Sequence, residues 1–214
     1  MRIDPKYLEA CVELAAGLHN INPVRYGASI LALTGSVLGS DPKNVKARKL
    51  AAAAHFARAQ SAIESADWEP AAESLRESFL LDPLDVTIEA FEYCAERSGK
   101  LRDVMTSCEE RVRHEPADLR STFVLGRICV RLAMTNAPDR EELLFRAETS
   151  LNRVLEFSPN HAEAWYWLGA SFILGGSDAN ARDIVEVLRS LDPGRGRDLE
   201  VLSRESSRSK STST

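Results

Sequence analysis

The side chains that could carry out chemistry are spread along this 214-residue sequence rather than clustered. Its four cysteines and four histidines show no zinc-site spacing, and no nucleotide-binding, nucleophile or metalloprotease motif occurs. The sequence therefore predicts a protein that is not an enzyme and holds no metal or cofactor. The arginines are more informative, since Arg120, Arg127 and Arg131 stand at i, i+7 and i+11. On a helix these three positions form one stripe.

Composition limits the class of protein. Apolar residues make up 44% of the chain, enough for a hydrophobic core, and the formal net charge of −5 argues against general nucleic-acid binding. The amino terminus is charged and has no apolar run, so no signal peptide is predicted, and no stretch reaches the length of a membrane helix. We therefore expect a cytoplasmic protein with buried thiols, no nucleic-acid partner and no membrane contact.

A repeating pattern of helices must position these arginines. Its clearest copy begins with Trp165, Leu168 and Gly169, continues through a glycine-rich break, and closes at Pro193. Trp165 and Leu168 share one helical face that should enter the core, and Gly169 lets a second helix approach closely. This pattern resembles the tetratricopeptide repeat, which has Trp, two residues, Leu-Gly, then later an Ala and a closing Pro.

Closing prolines indicate further copies of the repeat. Pro83, Pro116, Pro159 and Pro193 are separated by 33, 43 and 34 residues, and nine extra residues between Gly126 and Ala147, around 135–142, account for the long interval. The resemblance implies an all-α fold, a right-handed superhelical solenoid of antiparallel helix pairs. We place four repeats in the array over 42–193, at about 52–83, 85–116, 119–159 and 162–193.

The two ends of the chain lack the repeat signature. Residues 1–41 are interpreted as an N-terminal helical pair or a divergent repeat. After Pro193 a short capping helix is predicted over 194–202, because a solenoid needs a polar end. In the segment 203–214, eight of twelve residues are Ser or Thr, which predicts a disordered tail.

The resemblance also implies a function and a binding surface. In this family the first helix of each repeat lines a concave groove, and its non-core side chains meet a protein or peptide partner. The expected function is therefore that of an adaptor or scaffold. The partner-binding residues implied by the repeat register are Phe56, Gln60, Tyr93, Arg97, Arg120, Phe123, Arg127, Arg131 and Tyr166.

The chemistry of this residue set suggests a partner but leaves alternatives open. Arginines among aromatic rings suit an acidic peptide or a free C-terminal carboxylate. The alternative is that these arginines pair with neighbouring glutamates and only solvate the helix face. The two-carboxylate clamp that binds chaperone tails is not matched, because Phe56, Gln60 and Tyr93 stand where Lys and Asn are needed.

Self-assembly is the alternative function. A homodimer could form through an exposed helix edge or through the N-terminal helical pair. Apolar residues outside the repeat register, such as Ile30, Leu31, Leu33 and Val37, would serve it. The sequence leaves the choice between a partner protein and a second copy open.

Overall fold

The computed structural model describes residues 4–135 and 137–211, which fold only into α-helices and connecting turns. This confirms the predicted all-α fold of antiparallel helix pairs. The helices within the described ranges are α1 Pro5–Ile21, α2 Gly27–Ser40, α3 Val45–Glu64, α4 Trp68–Leu81, α5 Asp85–Arg97, α6 Leu101–His114, α7 Leu119–Ala133, α8 Arg140–Phe157, α9 Ala162–Gly175, α10 Asp178–Leu191 and α11 Pro193–Ser211. The chain divides into two compact units between Val104 and Met105, within α6.

In the first unit, the N-terminal pair α1 and α2 packs on α3. A side-chain oxygen of Asp4 accepts a hydrogen bond from the backbone N–H of Lys6, which caps the start of α1. Val37 packs against buried residues of α1 and α3, and Ile30 belongs to a second buried cluster with Ala15 and Ala54. Ile30 and Val37 are therefore core residues, and they cannot form the exposed self-assembly surface that the sequence suggested.

The helix pair α3–α4 combines small buried side chains with a side-chain hydrogen bond between the two helices. Ala51 and Ala52 of α3 are buried, and such small side chains allow two helices to approach closely. The Ser78 hydroxyl donates to the buried carbonyl oxygen of Ala52 over 2.9 Å. Helix α3 begins at Val45, where the Asn44 side chain caps it by accepting a hydrogen bond from the N–H of Ala47.

In the second unit, two glycines of the Leu-Gly pattern sit at close helix contacts. A Cβ atom on Gly126 would lie 2.6 Å from Cγ of Leu151 in α8, and one on Gly169 would lie 2.4 Å from Cδ2 of Leu199 in α11. Gly176 ends α9 in the left-handed conformation, with φ of 80°. Trp165, which the repeat pattern assigns to the core, is only partly buried, and its indole N–H donates to the carbonyl of Pro159 over 2.7 Å.

The C-terminal helix is longer than the sequence indicated. Helix α11 runs from Pro193 to Ser211, through the predicted capping helix and into the segment expected to be a disordered tail; residues 212–214 lie outside the described residues. Its anchor is Leu199, which is completely buried against α9 and α10. Ion pairs from Arg189 and Arg204 to Glu200 accompany this contact.

Candidate partner-binding surfaces

Two predicted binding residues, Tyr93 and Arg97, form a surface cluster with Trp68 in the first unit. Tyr93 and Arg97 lie one turn apart on α5, and Trp68 is the first residue of α4. The two rings meet edge to face with their centroids 5.6 Å apart. Cζ of Arg97 lies 5.6 Å from the Trp68 ring centroid and 5.2 Å from the Tyr93 centroid. We call these three residues the aromatic corner.

The other two predicted residues of the first unit lie on α3. Phe56 is partly buried, and Gln60 is exposed one turn later. Within the described residues, no ring contact or hydrogen bond joins Phe56 or Gln60 to the aromatic corner. The structure therefore gathers Tyr93 and Arg97 into one cluster and leaves Phe56 and Gln60 as separate surface positions on the preceding first helix.

In the second unit, Phe123 and Arg127 of α7 meet the beginning of α9. Cζ of Arg127 lies 5.2 Å from the Phe123 ring centroid, and that ring lies 4.7 Å from the imidazole of His161, the N-cap of α9. Nη1 of Arg127 is 3.2 Å from Oε1 of Glu163. We call Phe123, Arg127 and Glu163 the α7–α9 cluster. Arg127 is thus paired with a neighbouring glutamate, as the alternative interpretation of the arginines expected.

Helix α11 adds a cation to this cluster and covers part of the predicted surface. Nη2 of Arg195 lies 3.7 Å from Oε2 of Glu163, so one carboxylate is shared between Arg127 and Arg195. Tyr166 is partly buried and stands edge to face with Trp167, with a centroid separation of 5.3 Å. Burial raises the pKa of the Tyr166 hydroxyl, and the nearby carboxylate of Asp198 on α11 raises it further.

The stripe of three arginines on α7 is uneven. Arg120 is exposed in the first turn of the helix, whereas Arg127 and Arg131 are partly buried. Of these three, Arg127 has the defined ion pair and ring contact described above. A shared helix face therefore does not give these side chains equal surroundings.

Three residues of these surfaces were missed by sequence reasoning. Trp68 stands at the start of a second helix, where the repeat register assigns no partner contact. Glu163 lies 36 residues from Arg127, so helical spacing alone could not pair them. Arg195 follows the last closing proline, in a segment interpreted as a cap. The signal available for Trp68 was an aromatic residue next to a turn, at Asp67-Trp68.

The remaining reactive side chains do not converge on a second site. In the part of the chain that the structure describes, no group of three His, Cys, Asp or Glu residues is placed to hold a metal ion. All four cysteines are buried and free of disulfides, and burial raises the pKa of the Cys94 thiol. None of the described helices has the length and apolar character needed to cross a membrane.

The chain matches no family model and no curated protein. Solved structures do match over most of its length. It is similar to YrrB, described as a TPR protein with an unusual peptide-binding site, with 15% identity and a TM-score of 0.51 over 92% of this chain and 90% of that one. It also matches the MamA protein at 11% identity and a TM-score of 0.44, over 98% and 96% of the two chains.

Sequence identities this low are evidence for the fold alone. The YrrB match agrees with the helix pairs found here and with the repeat pattern predicted from the sequence. The chain therefore has the fold of a tetratricopeptide-repeat protein.

Proposed function

We propose that this chain is a protein-interaction module, an adaptor or scaffold that binds a peptide or protein partner through the first helices of its repeats. The observation that supports this proposal most is the pairing of arginines with aromatic rings on two first helices, the exposed Arg97 on α5 and the partly buried Arg127 on α7. Such pairs combine apolar contact area with guanidinium donors that suit carboxylates. A peptide-binding site in the structurally similar YrrB is consistent with this use of the fold.

In the α7–α9 cluster, a partner can bind Arg127 only if it competes with a carboxylate of the chain itself. Arg127 already pairs with Glu163, so an acidic group of the partner would have to replace that carboxylate. The exchange replaces one carboxylate by another at the same guanidinium, so the charge-assisted hydrogen bond is kept. Glu163 then acts as an internal competitor that keeps the guanidinium in place until an acidic partner arrives.

The substitution Arg127→Gln tests this condition when it is compared with Glu163→Gln. Both changes remove the same ion pair, but only the first removes the cation. We expect Arg127→Gln to reduce capture of the partner from lysate by about tenfold or more, since a charge-assisted hydrogen bond is lost. Glu163→Gln should leave capture unchanged or increase it. Equal losses in the two variants would show that the ion pair serves the fold and not the partner.

Self-assembly is a second candidate function, which one face of α1 favours. Tyr7, Ala10, Leu14, Gly17 and Ile21 follow intervals of 3, 4, 3 and 4, the spacing of a coiled-coil seam. These five residues, called the α1 seam, are all exposed, with Tyr7 at 57%, Leu14 at 56% and Ile21 at 71%. The opposite face of α1 packs against α2 and α3, so the seam lies on the solvent side of the helix.

The order of residue sizes along the seam suits a second copy of the same helix. In an antiparallel pair, Leu14 of one copy would face Gly17 of the other, and Ile21 would face Ala10. Large side chains then meet small ones on both sides of a two-fold axis. The space beside Gly17 is open, because no atom lies within 4 Å of the position of a Cβ there.

The substitution Leu14→Arg tests the seam. If two copies pair through α1, a charge at the centre of the contact should convert a dimer into a monomer, which halves the mass measured by light scattering. Val45→Arg is the matched control, because Val45 is an equally exposed apolar residue at 65% on a different helix. A wild-type protein of monomer mass, or a dimer that survives Leu14→Arg, would exclude α1 pairing.

A further inference from the structure

Among the described residues, the guanidinium of Arg97 contacts two aromatic rings and no carboxylate. It lies 5.6 Å from the Trp68 ring centroid and 5.2 Å from that of Tyr93, while the two rings stand at 83° to each other. The cation is therefore fixed at the junction of an edge-to-face pair. Tyr93 is 46% exposed and Arg97 is exposed, so a ligand can reach this junction from solvent.

Arg97 differs in its charge balance from the arginines that form ion pairs. Arg76, Arg127 and Arg189 each have a carboxylate at 2.6–3.2 Å. Across residues 4–135 and 137–211, by contrast, no carboxylate lies within ion-pair distance of Arg97, and its contacts are the two rings. The nearby Lys100 is paired with Glu69, the residue after Trp68. The aromatic corner thus presents one uncompensated positive charge.

The guanidinium of Arg97 is preorganised to bind an anion. Contact with the ring faces restricts the guanidinium before any ligand arrives, which lowers the entropic cost of binding. A guanidinium stacked on a ring still offers its edge N–H groups, and this fork matches the two oxygens of a carboxylate. The exposed ring surface beside it suits an apolar group attached close to that carboxylate.

We propose that the aromatic corner is the anchoring site for a peptide carboxylate, which Arg97 binds while an adjacent apolar side chain rests on Trp68 and Tyr93. The inference builds on the proposed interaction function and adds the chemical class that the first unit recognises. The carboxylate belongs either to an acidic side chain or to a free C-terminus, and both present the same two oxygens to Arg97. One cation in the corner corresponds to one carboxylate per site.

Titration with small carboxylates tests the site without knowledge of the partner. The probes are N-acetyl-leucine, which has a free carboxylate, N-acetyl-aspartic acid α-amide, which carries its carboxylate on the side chain, and N-acetyl-leucinamide, which has none. The readout is the NMR shift of the Trp68 indole N–H, assigned with Trp68→Phe, together with the Arg97 Nε–H. We expect at least one carboxylate probe to shift both signals with saturation, and the amide to leave them in place.

The matched variants decide the role of Arg97. Arg97→Gln should weaken the response of the Trp68 signal at least about tenfold, because a charge-assisted hydrogen bond is lost. Arg76→Gln, which removes a paired arginine of the same unit, should leave it unchanged. The proposal is overturned if neither carboxylate shifts the signals more than the amide, or if Arg97→Gln responds like the wild type. Partner capture that persists in Arg97→Gln would then leave the interaction function standing without this site.

Discussion

The substitution Asp118→Ala is expected to lower the free energy of unfolding by about 3–5 kcal/mol, the range found when one partner of a buried ion pair is removed. The Asp118 carboxylate caps α7 by accepting hydrogen bonds from the Ser121 N–H at 3.0 Å and the Ser121 hydroxyl at 2.8 Å. It also lies 3.0 Å from Nη2 of Arg111, whose side chain is 5% exposed. Loss of the carboxylate removes the cap and leaves a buried guanidinium with less compensation. Urea denaturation measures the difference.

Glu115→Ala is the control for this prediction. Glu115 pairs with the same Arg111 at 2.9 Å, but its side chain is 46% exposed, whereas that of Asp118 is 11% exposed. An ion pair to an exposed acid contributes only about 0–1 kcal/mol. If the two alanine variants lose equal stability, burial of the Arg111–Asp118 pair is not what stabilises this junction.

The pH dependence of stability gives a second readout of the same contact. Burial opposes ionisation of Asp118, but the hydrogen bonds from Ser121 and the charge of Arg111 outweigh it, so the pKa of Asp118 is lowered. A lowered pKa in the folded state contributes stability that is fully present above the unfolded value, about 3.9, and is lost as the pH falls towards the folded value. Wild type should therefore lose stability in this acid range, and Asp118→Asn should lose less.

The substitution Gly169→Trp is expected to destabilise the last repeat by about 1–3 kcal/mol or more, through overpacking. Even a Cβ at this position would lie 2.4 Å from Cδ2 of Leu199 and 3.1 Å from Cγ2 of Ile184. Leu199 is completely buried, so it has no solvent-filled space to move into. An indole there must push α11 away from α9. Thermal unfolding should show a lower melting temperature.

Gly35→Trp separates overpacking from a general effect of tryptophan in a helix. Gly35 also lies within a helix, α2, but no atom lies within 4 Å of its Cβ position. This variant should keep the wild-type melting temperature within a few degrees. An unchanged melting temperature for Gly169→Trp would contradict the register that places this glycine at the contact with α11.

The repeating part of the fold could be predicted from the sequence, because the same packing contacts recur in each repeat. Leu168 and Gly169 mark a helix face that must meet other helices, and in the structure both are buried. The closing prolines could be found by spacing alone. Leu199 lies beyond the repeats, and its neighbouring residues do not indicate that its side chain packs against Gly169. The extent of α11 could therefore not be predicted.

The candidate binding surfaces were harder to predict from the sequence, because they depend on contacts between residues that are far apart in the sequence. The position of the α7 arginines on one helix face suggested one binding stripe, whereas the structure gives Arg127 a glutamate from α9. Arg97, on another helix, contacts two aromatic rings instead. The apolar residues Ile30 and Val37 show the same limit. Their composition suggested an interface, but only the packing of α1 and α3 shows that they are buried.

The measurement that tests the central claim most directly is quantitative partner capture from the source-cell lysate, with light scattering on each protein used. Two triple variants, equal in charge, are compared with the wild type. The first-helix variant carries Arg97→Gln, Arg120→Gln and Arg127→Gln, and the second-helix variant carries Arg76→Gln, Arg153→Gln and Arg182→Gln. If the chain binds its partner through the first helices, the wild type and the second-helix variant should capture the partner. The first-helix variant should not capture it. Capture that is equal in both variants, or a dimer with no other protein bound, would contradict it.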